Sequence, residues 1–479
     1  MISTVYQWIV NIEEKYSDQI AVQYVENGEV IKITYNRFTQ DIRKAAAYFK
    51  DTYPYIEGKH IAILSRNSYS YMVCFIGIIM AGGVAVTLNP GECWDKLQDI
   101  IEFAEVSAIY SDGKYTEWDR LEEKYGSMLF EMNMYEDHEA IENWIDHTDT
   151  NNPALLMFTS GTTGRGKGIL LSQKNLLTSR NQGAAVYDME PGIPTKTYLL
   201  LLPLYHVAGI TVTFGFMGFG CTINICNDLK YIYRDIKMME SERTSVVPTI
   251  LKMWYKDIKA GRVERLNGIR LINCTGAASN AEIFQCFKQH GIKVYKAYGM
   301  TETCGDGTVN PGILDGKDDS VGVASSTCKV KIIDGEICLK SDGVMIGYYK
   351  QPDETAKIIQ DGWVHTGDLG YLDEEGYLYL NGRKNNLIIL SSGENINPEE
   401  LESILYHNQF VEETVVAAKE DKLCAYIYCK KEVQEQIREY ITECNKNLAM
   451  YKRITEIVFT DKPLPKTATG KIMRNMTER

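Results

Sequence analysis

Thr159-Ser160-Gly161-Thr162-Thr163-Gly164-Arg165-Gly166-Lys167-Gly168 is a polar, glycine-rich stretch set between two apolar runs, Ala154 to Phe158 before it and Ile169-Leu170-Leu171 after it. The pattern reads strand, turn, strand. Glycines allow successive backbone N–H groups to converge on an anion, and the hydroxyls and a lysine add donors for phosphate oxygens. A nucleotide triphosphate is the first ligand to consider, and a flexible Gly/Thr loop without a ligand is the plainer alternative.

Two better-known phosphate loops do not fit. Gly161 to Lys167 satisfies G-x-x-x-x-G-K, but the next residue is Gly168 where a P-loop needs Ser or Thr for its metal, and a strand follows where a helix should start. The dinucleotide fingerprint fails on its third glycine spacing and on the same missing helix.

Working outward, 479 residues exceed what one hydrophobic core covers, so two or more domains are expected. The 44% apolar and 24% charged composition is that of an ordinary globular enzyme. A net charge of −13 without any basic run argues against nucleic acid or an anionic membrane as partner. Acidic substrates must then be held by local donors. Twelve cysteines without a C-x-x-C pair read as reduced thiols rather than disulfides or a zinc site. The start of the chain carries no signal-peptide pattern. Tyr71 to Leu88 approaches membrane-span length, but Gly82-Gly83 interrupts it, so it reads as a buried helix turning into a strand and no integral membrane segment is expected. The expected location is cytoplasmic.

Asp41 to Lys50 reads as helix, and His60 to Leu64 and Val84 to Leu88 as buried strands. The rhythm continues with Tyr198 to Leu202, Thr244 to Val247, Ile269 to Asn273 and Lys293 to Ala297, which indicates a parallel sheet covered on both faces. From about 320 the texture changes to short strands and Gly-rich turns, with Val330 to Ile333, Glu336 to Lys340 and Gly376 to Leu380 as an antiparallel unit. The polar stretch from Asn381 to Asn386 is the best boundary. Beyond it, Pro398 to Leu405 reads as a helix with acidic residues in its first turn.

Further motifs follow in order: Leu202-Pro203-Leu204-Tyr205-His206-Val207-Ala208-Gly209, Thr275-Gly276-Ala277-Ala278, Tyr298-Gly299-Met300-Thr301-Glu302-Thr303, Thr366-Gly367-Asp368-Leu369-Gly370, Gly382-Arg383, Ser392-Gly393-Glu394-Asn395-Ile396, and Pro465-Lys466-Thr467-Ala468-Thr469-Gly470-Lys471. Together with the opening stretch, they closely resemble the adenylate-forming superfamily of acyl-CoA synthetases, adenylation domains and luciferases, from about residue 20 to 475. The fold expected is α/β: a large N-terminal domain, 1–384, of layered, mostly parallel sheets (1–320) plus the small antiparallel β unit (321–381), and a small mobile α+β lid domain, 385–479.

The resemblance implies a two-step ligation: a carboxylate attacks the α-phosphate of ATP, and a thiol then displaces AMP from the acyl-adenylate. It implies that Thr159, Ser160, Gly161, Thr162, Thr163, Gly164 and Lys167 wrap the β- and γ-phosphates, with Gly166 standing where the family usually has Pro. Gly276, Ala277 and Ala278 would lie along the adenine, Tyr298 and Gly299 beside it, with the Tyr298 ring stacked on the base. Thr301 would bond the α-phosphate and Glu302 would hold Mg²⁺. Asp368 would accept both ribose hydroxyls, Arg383 would help fix the ribose and phosphates, and His206 would face the substrate carboxylate. Lys471 would bridge carboxylate and α-phosphate as a point charge. Gly393 would line the pantetheine tunnel, and Asn385 would be the hinge, where the family commonly has Asp or Lys. Each motif, alone, also suits a structural part: a strand-end turn, tight packing, a satisfied core histidine or a solvated tail lysine.

The cofactors implied are ATP and Mg²⁺, with CoA as co-substrate or a carrier protein's phosphopantetheine in its place. Lys446, Lys452 and Arg453 are candidate CoA contacts. In the family resembled, amino-acid-activating members place an Asp just after the position of His206; Val207-Ala208-Gly209-Ile210 has no acid, so an α-amino acid substrate is not expected. Thr211 to Met217 offers apolar and aromatic bulk for a fatty or aryl acid, or simply helix core. The linker and the glycine segment resemble long-chain acyl-CoA ligases somewhat more than aryl-acid enzymes. The alternatives are a stand-alone enzyme loading a carrier protein, a catalytically silent nucleotide-binding protein, and oxidative luciferase chemistry.

Overall fold

The computed structural model describes residues 2–141, 144, 146, 149–159, 166–178, 196–275, 281–310, 316, 317, 319–390, 394–419, 422–466 and 472–474. Among these residues, apolar runs that are buried on both faces build two large sheets. The first has nine strands in the order Val323–Ala324, Gly307–Val309, Lys293–Gly299, Leu271–Thr275, Arg243–Val246, Thr197–Leu200, Thr222–Ile225, Ile20–Glu26, Glu29–Thr34. Its six central strands run parallel, and antiparallel strands close both edges. The second has seven: Gly347–Tyr348, Gly168–Ser172, Pro153–Phe158, Val84–Leu88, His60–Leu64, Ala108–Ser111, Leu129–Glu131. It is parallel from Pro153–Phe158 onward and antiparallel at the edge that carries Gly168–Ser172 and Gly347–Tyr348.

Helices Val5–Tyr16, Tyr35–Thr52, Tyr69–Met80 and Val207–Met217 lie between the sheets. One apolar cluster joins their side chains to Val22, Tyr198 and Ile223 of the first sheet and to Ile61, Leu155 and Ile169 of the second. Thr4, Thr34 and Ser68 start the first three of these helices by accepting a backbone N–H through the side chain, as N-caps do. A Cβ on Gly77 would sit 2.6 Å from that of Ala45, so the glycine allows two of the helices to touch backbone to backbone. Separate clusters cover the outer faces, with Trp254 and Phe287 on the first sheet and Trp94 and Leu121 on the second. This is the layered α/β arrangement expected.

A five-stranded antiparallel sheet of Cys328–Ile333, Glu336–Ser341, Ile359–Gln360, Trp363–Leu372 and Leu378–Arg383 follows. The last strand runs three residues further than the sequence reading placed it, because Arg383 pairs across to Asp368 and Gly382 to Leu369. The small C-terminal domain holds a three-stranded sheet, Glu413–Lys419, Lys422–Tyr428 and Ile454–Thr460, with helices Pro398–Tyr406 and Gln434–Asn447 over an apolar core that includes Leu401, Leu405, Ile437 and Ile441. No helix among the described residues is long and apolar enough to cross a membrane.

Candidate active site

The glycine-rich stretch leaves the strand Pro153–Phe158 and re-enters at Gly168–Ser172, the strand-turn-strand course read from the sequence. Its neck is closed by two bonds. The Thr159 N–H donates to the Lys167 carbonyl at 3.0 Å, and the Lys167 N–H donates to Thr159 Oγ1 at 3.1 Å. Gly166 makes that closure possible: its φ is +78°, and a Cβ there would lie 2.0 Å from the Thr159 carbonyl oxygen. Ser160, Gly161, Thr162, Thr163 and Gly164 lie outside the described residues, as do Gly276, Ala277, Ala278, Gly393 and Lys471.

The ammonium of Lys167 reaches across to Glu354 Oε2 at 2.9 Å and stands 4.5 Å from the ring centroid of Tyr348. Lys357 first and Lys167 second, by hydrogen bond and charge, pull the Glu354 carboxyl down to about 2. The phenol of Tyr348 donates to Glu302 Oε1 at 2.8 Å. Glu302 itself stands in a single turn, Thr301–Thr303, directly after the strand Lys293–Gly299. It is 9% exposed, and the Met345 N–H holds its carbonyl.

No group of three or more metal-ligating side chains gathers among the described residues. A nucleotide-bound Mg²⁺ needs only one or two carboxylates besides phosphates and water. A nearly buried carboxylate with its orientation fixed by a neutral donor therefore fits as a lone protein ligand.

Asp368 and Arg383, chosen separately from the sequence, face each other as a cross-strand pair, and Arg383 Nε lies 2.8 Å from Asp368 Oδ1. The other oxygen, Oδ2, accepts the phenol of Tyr298 at 2.8 Å. Burial, then the charge of Asp368, pushes the Tyr298 phenol up, so it stays a donor. Gly367, with φ +71°, turns the chain just before Asp368, and its N–H donates to Glu336 Oε1 at 2.9 Å. Glu336 also meets Lys384 at 3.3 Å, one residue before Asn385. Asn385 is exposed in a helical turn and is not among the residues with left-handed backbone, so its tolerance for unusual angles is not in use here.

His206 precedes the helix Val207–Met217, with its ring against Tyr205 at 4.8 Å. Together with Thr87, Asn89, Phe158, Thr159 and Tyr205 it lines a small cavity at the foot of the phosphate loop. Desolvation drives its imidazole down to about 4, so it is neutral near pH 7. Gly209 lets the helix start close under Pro203, whose carbonyl oxygen a Cβ would meet at 2.1 Å.

The aromatic bulk of Thr211 to Met217 turns inward. Phe214 packs on Trp8 at 4.7 Å and Phe216 on Tyr198 at 4.5 Å, so of the two readings of this stretch the helix-core one holds. Two of the three basic CoA candidates are occupied by carboxylates: Lys446 by Glu443 and Lys452 by Glu400. Arg453 donates to the Leu448 carbonyl.

Sequence reading missed Tyr348 and Glu354. Their contacts span 46 and 187 residues and arise from sheet register, Tyr348 opposite Ile169, which leaves no local trace in the chain.

Known proteins resemble this chain over most of its length. A family described as AMP-binding enzyme matches residues 10–349, and its C-terminal domain family matches residues 400–471. A 2-succinylbenzoate–CoA ligase of Listeria monocytogenes is 30% identical over 427 residues, 87% of each chain. One from Bacillus cereus is 27% identical over 99% of this chain and 98% of its own. The o-succinylbenzoate CoA synthetase of Bacillus subtilis, solved with its acyl-adenylate intermediate, superposes with a TM-score of 0.83 at 27% identity over 98% of both chains. The same enzyme solved with ATP and magnesium gives an equal score. With most of its length inside the first family and its small C-terminal domain inside the second, the chain belongs to the AMP-binding enzymes.

Proposed function

We propose that this chain is an ATP-dependent, AMP-forming acid–CoA ligase whose acid is an aryl acid. The observation that carries the reading is the Tyr298–Asp368–Arg383 cluster, a carboxylate suited to a ribose, in a fold that also holds a glycine-rich loop and an oriented Glu302. The two curated relatives named above, both 2-succinylbenzoate–CoA ligases, support both the thiol and the aryl class of acid. They give no support to a carrier protein.

In the first half-reaction, a carboxylate oxygen attacks the α-phosphorus of ATP and the bond to pyrophosphate breaks. The loop with Thr159 and Lys167 holds the departing phosphates, and Thr301 bonds the α-phosphate. Mg²⁺, with Glu302 as its protein ligand, spreads the phosphate charge when bound. His206, being neutral, orients the acid by hydrogen bonding without adding charge. Lys471 offsets the repulsion between carboxylate and phosphate.

In the second half-reaction, the CoA sulfur attacks the acyl carbon as its proton leaves, and AMP departs with the bridging oxygen. Gly393 provides close backbone passage for the pantetheine arm. The domain that begins at residue 385 rotates about Asn385 between the two steps. A cytoplasmic location suits an enzyme that consumes ATP and CoA.

The test is mass spectrometry of products after incubation with ATP, Mg²⁺, CoA and a pool of aryl and fatty acids that includes 2-succinylbenzoate. An aryl-CoA is the expected product. A fatty acyl-CoA would overturn the acid class, and acyl-AMP with no thioester would overturn CoA as acceptor.

A further inference from the structure

We propose that Tyr348 is a positioning residue that holds Lys167, at the neck of the glycine-rich loop, and the metal-binding carboxylate of Glu302 in one frame, so that both are set for MgATP together. The proposal rests on the reading of Glu302 as the Mg²⁺ ligand and of the 159–168 loop as the phosphate site.

Tyr348 occupies a two-residue strand laid along the strand that leaves the phosphate loop, with Tyr348 opposite Ile169 and Gly347 opposite Leu170. The Tyr349 N–H donates to the carbonyl of Gly168, the last residue of the loop, at 2.7 Å. The Tyr348 side chain is therefore fixed to the loop's frame, and it is 7% exposed.

That one side chain has two uses. Its hydroxyl donates to Glu302 Oε1 at 2.8 Å, and its ring face receives the Lys167 ammonium at 4.5 Å. A hydrogen bond to an ionised group is about twice as strong as a neutral one, and a cation over an aromatic face gains further when partly shielded from water. The backbone N–H of Tyr348 donates to Thr355 Oγ1 at 2.8 Å, at the start of the short helix that also carries Glu354, the counter-ion of Lys167. Residues 347–355 thus hold the loop lysine from below while the Tyr348 hydroxyl holds the carboxylate. Both groups meet the nucleotide with their side-chain freedom already spent, which is how preorganisation raises affinity.

Tyr348→Phe separates the two uses, since the ring remains under Lys167 and only the hydroxyl is lost. Binding is read on the full chain in two ways: ATP alone by calorimetry, and Mn²⁺ in the presence of ATP by electron paramagnetic resonance. Tyr348→Phe is expected to weaken Mn²⁺ binding by about tenfold, the scale of a lost bond to a charged group, and to leave metal-free ATP binding as it was. Tyr348→Leu, which also removes the ring, is expected to weaken both. Wild-type Mn²⁺ binding by Tyr348→Phe overturns the proposal, provided Glu302→Gln weakens that binding in the same assay. If Glu302→Gln binds Mn²⁺ normally too, the reading of Glu302 as metal ligand has failed instead.

Discussion

His206 stands at the head of a helix whose body, Val207 to Met217, has no charged residue; Glu92 and Lys96 line the same cavity, and burial is what sets the cost of charging its ring. Its folded-state value of about 4 lies below the ordinary value near 6.5, so the unfolded chain takes up a proton that the folded one refuses. The associated stability is complete above about pH 6.5 and is lost as the pH falls toward about 4. The urea midpoint of the native protein should therefore drop more between about pH 7 and pH 5 than that of His206→Gln. Equal drops would mean that the ring is charged in the folded protein. At Lys471 the expected loss is kinetic. Lys471→Ala should cost at least roughly 10²-fold in adenylation, the scale of removing an electrostatic stabiliser, while thioester formation from supplied acyl-adenylate survives. Chromatography of each half-reaction separates the two, and retention of both would remove Lys471 from the mechanism. Asp368 and Arg383 were each legible as single residues. Their pairing was not, because cross-strand register is a property of the folded sheet.

Among the elements, strands buried on both faces were read best. His60–Leu64 and Val84–Leu88 fall on the residues expected, since both are short, almost wholly apolar and buried runs. The hairpin Ile20–Glu26 and Glu29–Thr34 went unread, although Asn27-Gly28 between two partly apolar runs is a strong hairpin signal. Both residues indeed take positive φ, +49° and +84°. The neck of the phosphate loop departs from the family in a way that matters for ligand binding. Proline fixes φ near −65°, far from the +78° of Gly166. Replacing Gly166 with the family's usual residue should therefore harm this protein. Gly166→Pro is expected to weaken ATP binding at least about tenfold in calorimetry, the scale of one strained backbone position. Unchanged or tighter binding would show that the neck can reshape freely.

At the scale of the molecule, the helix Pro398–Tyr406 of the C-terminal domain is one place where that domain touches the large one. Lys252 of the helix Pro248–Lys259 points its ammonium at the Tyr406 ring from 4.6 Å, and burial pulls its pKa down. Just past the boundary, Asn386 donates to Glu399 inside the C-terminal domain. Within the C-terminal domain, Arg474 grips Glu402 through two bonds of 2.7 Å and Glu399 at 2.9 Å. The division into layered sheets, an antiparallel unit and a C-terminal domain could be read from changes in sequence texture. How they meet could not, and Asp368 is where two of the parts do meet: Tyr298 comes from the nine-stranded sheet, and Asp368 and Arg383 from neighbouring strands of the antiparallel one. Both of its oxygens have donors before any nucleotide arrives. In the proposed role of Asp368, a ribose must win them by exchange, and a sugar short of one hydroxyl leaves no stranded charge, because the old partner returns. Sites that discriminate by 10⁴-fold or more do so by leaving a buried polar group unpaired. This one has a fallback, so kcat/KM for 2′-deoxyATP should lie within about tenfold of that for ATP. Use of ATP over its 2′-deoxy counterpart would then follow from the abundance of the ribonucleotide rather than from the pocket's own selectivity.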